Sequence, residues 1–118
     1  TSHHYSAAHP SEFNTAFVKA YGKANAGKRP NFMSVAGYDG MHIIYEALKR
    51  TEGKGDGDAV LNAMKGLRFE SPRGPVTIDP ATRDITQNVY LRKVERVRGE
   101  LWNTELETLP NVKASGEK

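Results

Sequence analysis

The chain has no cysteine among its 118 residues. That removes disulfides, thiolate-held zinc and cysteine nucleophiles together. It has no apolar run approaching the ~20 residues that carry a helix across a bilayer. It shows no signal peptide, and Thr1 is not an initiator methionine, so the sequence reads as the middle of something longer or as a processed product. Neither sign of charge dominates: 17 basic residues against 14 acidic ones leave a net +3, too mild to call by itself for a nucleic acid partner. No internal repeat occurs, and the one compositional oddity is the lysine- and glycine-rich break Glu52-Gly53-Lys54-Gly55-Asp56-Gly57. No serine stands in a strained Gly-x-Ser-x-Gly elbow. Ser34, between Met33 and Val35, has no evident base. What remains has the length of one domain with a core of its own.

The most informative stretch is residues 30–48, Pro-Asn-Phe-Met-Ser-Val-Ala-Gly-Tyr-Asp-Gly-Met-His-Ile-Ile-Tyr-Glu-Ala-Leu. In its second half Tyr38, Met41, Tyr45 and Leu48 recur at three- and four-residue steps, which predicts a buried helix with this stripe facing inward. Its first half, residues 32–38, is a small and aromatic lead-in to that helix. Free backbone N–H groups at a helix start suit the polar end of a small ligand. The lead-in residues fit either of two roles, as core residues opening the helix or as ligand contacts.

Around this segment the pattern predicts two more helices. Pro10 suits a first helical turn, and Phe13, Ala16, Phe17, Ala20, Tyr21 and Ala24 share a face, so helix one covers residues 11–26 and stops at Gly27. Helix two follows the Lys28-Arg29-Pro30 connector and runs to about Thr51. Helix three starts at an Asp56 or Asp58 cap, packs Val60, Leu61, Met64 and Leu67, and stops at Gly66. Then the period changes to alternation. Val76 and Ile78 point one way, Asp79-Pro80 turns, and residues 88–97 form a strand whose alternation slips between Leu91 and Val94, as at a bulge. Arg98-Gly99-Glu100 turns the chain into a second strand with Trp102, Thr104 and Leu106 on one face. From Pro110 the tail is polar and frayed. Gly74, between Arg73 and Pro75, is expected at a backbone position with little tolerance for a side chain.

Several motifs invite chemistry and are better read plainly. Gly22-Lys23-Ala24-Asn25-Ala26-Gly27-Lys28 has P-loop spacing, but Arg29 replaces the Ser or Thr that would hold magnesium. It also closes a helix, where carbonyls repel phosphate. His3, His4 and His9 could suggest a metal, yet they lie in an unstructured opening with no acid nearer than Glu12. His42, inside helix two and off its stripe, reads as packed or solvated. Arg92-Lys93-Val94-Glu95-Arg96-Val97-Arg98 could track a nucleic acid backbone. A strand splits these charges between two faces, however, and basic residues protect an exposed edge.

The ordered set of features resembles the C-terminal third of a type I periplasmic solute-binding protein, in the group of branched-chain amino acid and related receptors of ABC importers. The resemblance rests on Gly37-Tyr38-Asp39 at a helix start, an acidic-capped helix ending in Gly66-Leu67, and Phe69-x-Ser71-Pro72-x-Gly74-Pro75-Val76-Thr77-Ile78-Asp79. A long strand near a charged C-terminus and the upstream Tyr5-Ser6, Pro10-Ser11-Glu12-Phe13, Phe17 and Tyr21-Gly22 complete it. It implies an α/β fold, a C-terminal fragment of a two-lobed receptor with three helices followed by β-strands. Residues 1–10 would be a lead-in near the hinge, and residues 11–85 the helical part of one lobe. Residues 86–118 would hold a hinge-crossing strand, a C-terminal hairpin on the other lobe, and the tail.

The implied function is binding without catalysis. A small solute, an amino acid or similar carboxylate or amide, is trapped between lobes and delivered to a membrane permease. Aromatic acids and urea also fall within the resembled group. No cofactor or metal is implied, and the location is periplasmic or otherwise extracytoplasmic. Carried over by position, the cleft-facing residues are Phe32, Met33 and Ser34, with Tyr38 behind them. Asp39 caps the helix or anchors a neighbouring loop. Most ligand-gripping groups are expected upstream of Thr1, so the chain alone should self-associate through exposed helix faces and unpaired edges at residues 88–97. Two rival classes are a small basic nucleic-acid-binding module and a hydrolase fragment using His42 or Asp39.

Overall fold

Local signals place each helix. Ser11 caps the first, its Oγ accepting from the Asn14 N–H at 3.0 Å, and α1 runs Glu12–Ala24. It ends where Ala26 and Gly27 turn left-handed, at φ 52° and 78°, and the Gly27 N–H returns to the Gly22 carbonyl at 2.8 Å. The P-loop-like segment is thus a helix stop. In this computed structural model, which describes residues 1–114, α2 spans Phe32–Arg50 behind an Asn31 cap. The short α3, Gly57–Met64, is capped by Asp56, whose carboxylate accepts from the Ala59 N–H at 3.0 Å.

Five strands follow or frame the helices: β1 (Ser2–His3), β2 (Arg68–Ser71), β3 (Gly74–Ile78), β4 (Ile85–Val97) and β5 (Glu100–Val112). All their pairings are antiparallel. β4 is the spine. Gln87 pairs with both Val76 and Val112, and Tyr90 pairs with both His3 and Thr108. A strand has two edges, so β5 takes one while β3 and then β1 share the other. The opening residues are therefore ordered in the sheet, which corrects the expectation of an unstructured lead-in. Residues 88–97, expected as an unpaired edge, are zipped to β5. Only beyond Arg92, which closes the other edge on the Thr1 carbonyl at 2.7 Å, is that edge of β4 without a strand partner among the described residues.

The expected slip in β4 is present, with register shifts at Leu91/Arg92 and at Gln87/Val89. The extra residues lie on β5. Leu91 faces Glu107 and Arg92 faces Glu105, which leaves Leu106 unpaired. That bulge turns Leu106 out of the face of Trp102 and Thr104, to 66% exposed. Arg98 and Gly99, at φ 51° and 87°, make the two-residue turn between β4 and β5. The strand continues through Pro110 to Val112, so the tail is paired further than expected. The remainder of that expectation falls on residues 115–118, outside the described residues.

The core lies between the sheet and the helices, with Val76, Ile78 and Tyr90 from the strands meeting Val35, Ala47, Leu67 and Tyr5. The buried face of α2 is Val35, Asp39 and Ala47. The predicted stripe of Tyr38, Met41, Tyr45 and Leu48 is exposed instead, Tyr45 at 56%. Periodicity finds the faces of a helix without saying which of two apolar faces meets this sheet. Gly74 matches its expectation. Its φ is +95°, and a β-carbon there would lie 2.6 Å from the Tyr90 hydroxyl.

Candidate functional site

A buried polar cluster fixes the geometry at the front of α2. Asp39 Oδ2 accepts from Ser71 Oγ at 2.9 Å and from Arg73 Nε at 2.9 Å, and Arg73 Nη2 lies 2.7 Å from the same oxygen. Arg73 Nη1 also donates to Gln87 Oε1 at 2.5 Å, and the Tyr90 hydroxyl donates to the Arg73 carbonyl at 2.6 Å. The β2–β3 turn is thereby pinned to α2 on one side and to β4 on the other. Asp39 anchors the neighbouring loop, as one of its two expected roles required. It does not cap α2, because it sits two turns into the helix. Burial pushes its carboxyl upward, against the pull of Arg73 and Ser71.

The start of α2 differs from the expected lead-in. Helix geometry begins at Phe32, so Gly37-Tyr38-Asp39 lies in its second turn. Asn31 Oδ1 accepts from the Met33 and Ser34 N–H groups at 3.1 Å each, and the Ser34 hydroxyl reaches back to the Asn31 N–H at 3.4 Å. This capping box occupies most of the N–H groups that a ligand was expected to use.

What the helix start presents is a set of rings. Phe32 lies 5.2 Å from the His3 ring and 6.2 Å from His4, and His3 stacks on His4 at 4.3 Å. Burial, then the neighbouring His3, Arg73 and Arg92, push His4 down to about 4. His3 is lowered too, first by burial and then by Arg92 and Arg73. Both rings are therefore neutral near pH 7. His3 Nδ1 accepts from the Tyr5 N–H at 3.3 Å, which leaves its Nε2 as the N–H.

Beside these rings opens a cavity of about 410 Å³ whose walls include His3, Arg29, Phe32, Arg92, Trp102 and Asn103. Arg29 stacks over the Trp102 ring at 3.7 Å and ties the α1–α2 connector to β5, donating to the Leu101 carbonyl at 2.7 Å and to Glu100 at 2.5 Å. Arg92 Nη1 donates to the Tyr5 carbonyl at 2.6 Å. Two further tethers hold the opening segment to β5. Ser6 Oγ donates to the Asn103 carbonyl at 2.5 Å, and His9 Nδ1 meets Glu105 at 2.8 Å.

Of the four residues named from sequence, Phe32 lines this cavity. Met33 is exposed beside it at 67%. Ser34 is engaged in the capping box, and Tyr38 packs against Phe13 and Phe17, with rings at 6.1 and 5.1 Å. His42 lies between Tyr38 and Phe69. Sequence reasoning missed Arg29, Arg92 and Trp102. A lone tryptophan three residues past a hairpin turn was the available signal. No cluster of three or more His, Asp or Glu able to hold a metal occurs among the described residues. No described helix is long and apolar enough to cross a membrane.

The chain belongs to the periplasmic binding protein family, whose model matches residues 1–100. It is 60% identical to a solute-binding protein of an ABC transporter from Rhodopseudomonas palustris BisB5, solved with 3,4-dihydroxybenzoic acid, over 96% of this chain and 31% of that one, at a TM-score of 0.93. A second R. palustris solute-binding protein, from strain HaA2 and in complex with p-hydroxybenzoic acid, is 47% identical over 94% of this chain and 30% of that one, at a TM-score of 0.85. The Leu/Ile/Val-binding protein homolog 6 of Brucella abortus (strain 2308) is 43% identical over 97% of this chain and 31% of its own length. The chain thus spans about a third of the relatives it matches, and its fold is a fragment of the type I periplasmic binding protein fold. These relatives are solute-binding receptors, not enzymes.

Proposed function

We propose that this chain is the C-terminal part of the solute-binding component of an ABC importer, and that its solute is a small aromatic carboxylate of the hydroxybenzoate kind. The observation that carries the ligand class is the 60% identity to a receptor solved with 3,4-dihydroxybenzoic acid, joined to the Phe32–His3–His4 ring cluster here. Phe32 offers a face to a planar ring, and Met33 adapts to its edge. The neutral histidines donate to or accept from ring hydroxyls. Ser34 holds the helix start that carries Phe32 through the Asn31 box, while Tyr38 packs on Phe13 and Phe17 away from it.

On this reading residues 1–10 lead in near the hinge and residues 11–85 belong to one lobe. Residues 86–118 cross the hinge and place the β4–β5 hairpin on the other. Closure of the two lobes traps the solute in the periplasm, and docking on a permease releases it. Binding and release are the whole function, with no cofactor and no nucleic acid partner.

A second reading is favoured by the Brucella relative's name: a branched-chain amino acid in the same cleft. Calorimetric titration of the full-length receptor with 3,4-dihydroxybenzoate, 4-hydroxybenzoate and leucine decides between them. Binding of the aromatic acids alone is the expected result. Binding of leucine alone replaces the first reading by the second.

A further inference from the structure

The cavity between the opening segment, the α1–α2 connector and β5 has an uneven charge pattern. Two guanidinium groups, those of Arg29 and Arg92, belong to its walls, and no aspartate or glutamate does. Arg29 donates to Leu101 and Glu100, and Arg92 Nη1 donates to the Tyr5 carbonyl. A guanidinium carries five N–H donors, so donors remain on both. Arg92 makes no ion pair among the described residues; Glu105, across the ladder from it, meets His9 through Oε2 and leaves its buried Oε1 without a partner. The Arg92 Nε is buried with no partner. By contrast, the larger groove of about 680 Å³ over β2 and β3 mixes Arg68 and Lys113 with Glu70 and Asp79, and its charges offset one another.

The apolar part of the cationic cavity is aromatic. Phe32 stands on the α2 side and Trp102 on the β5 side, with Asn103 and the His3 Nε2–H as neutral donors. A cavity with positive walls, ring faces and donors in excess of acceptors fits a ring bearing a carboxylate. We infer that Arg92, assisted by Arg29, holds the carboxylate of the solute, with its ring against Phe32. This assignment rests on the receptor reading above and adds to it the residues that discriminate acid from neutral analogue. Charge-assisted bonds from a guanidinium to a carboxylate are among the stronger single contacts in a binding site. The grip on the acid would then come from the cavity wall and not from the helix end, whose N–H groups the Asn31 box already uses.

The test compares 3,4-dihydroxybenzoate with 3,4-dihydroxybenzamide on the full-length receptor by calorimetry. In Arg92→Gln the acid should weaken by about tenfold or more while the amide changes little. Asn103→Asp sets a carboxylate on the exposed cavity wall and should produce the same selective loss, so the decision does not hang on one variant folding. Equal losses for acid and amide in Asn103→Asp, or unchanged acid binding in a folded Arg92→Gln, would overturn the assignment and leave the receptor reading standing. A wild-type receptor that binds neither compound overturns both.

Discussion

Asp39 shows how much of this structure hangs on one side chain. It is 2% exposed and shares a single oxygen between Ser71 and Arg73. Taking two charges out of water is costly, and their mutual attraction offsets the cost only while both partners are present. Asp39→Ala leaves Arg73 buried with Gln87 as its remaining side-chain partner, and it frees the β2–β3 turn that positions Gly74 against Tyr90. The expected loss is about 3–5 kcal/mol in urea unfolding, against about 0.5 kcal/mol or less for a surface change of similar size. A loss no larger than the surface change would show that the cluster is not what fixes the turn. The sequence made part of this legible. An acid expected at a helix start is an anchor or a cap, and the Gly-Pro after Arg73 marked a tight turn. The Arg73 partner was not legible, since 34 residues separate it from Asp39 and nothing local ties the two.

At the scale of the elements, helices and turns were read well because their signals are local: the start of α1 at residue 11, Asp56 as one of two cap candidates for α3, Gly27 and Gly66 as stops, Arg98-Gly99-Glu100 as a turn. The sheet was read less well, because strand pairing is a long-range matter. β1 is two residues long, too short for any periodicity, and it exists because β4 offers it an edge at Tyr90 and Leu91. Its neighbour His4 gives this pairing a pH dependence. The folded pKa is about 4 against an ordinary 6.5, so between those values the unfolded chain binds more protons than the folded one. Stability therefore rises with pH across that window and is lost as pH falls from about 6.5 towards 4. Thermal melts at steps from about pH 7.5 to 4 should show a decline that His4→Gln flattens. An unchanged slope in His4→Gln would place the dependence elsewhere.

The whole molecule is a slab of 51 × 39 × 19 Å, thin enough that one helical layer on one sheet leaves broad outer faces uncovered. On the outer face of α2 stand Tyr38, Met41, Tyr45 and Leu48, each at least 39% exposed, and Phe13 of α1 packs beside Tyr38. Contiguous apolar surface of this kind drives association in water. Beyond Arg92 the β4–β5 ribbon also has a free edge that a second chain can extend. The chain taken alone is therefore expected to be a multimer in sedimentation velocity at micromolar concentration. Tyr45→Lys, at a position 56% exposed and outside the core, should shift it towards monomer without lowering its unfolding midpoint. If the ribbon edge is the contact instead, Tyr45→Lys changes nothing, and a proline at Val94, 57% exposed, breaks the multimer. A strictly monomeric chain that melts cooperatively in calorimetry would show that these residues make a self-sufficient domain, with the α2 stripe as ordinary surface. Micromolar binding of 3,4-dihydroxybenzoate by that monomer would count against a cleft that needs two lobes.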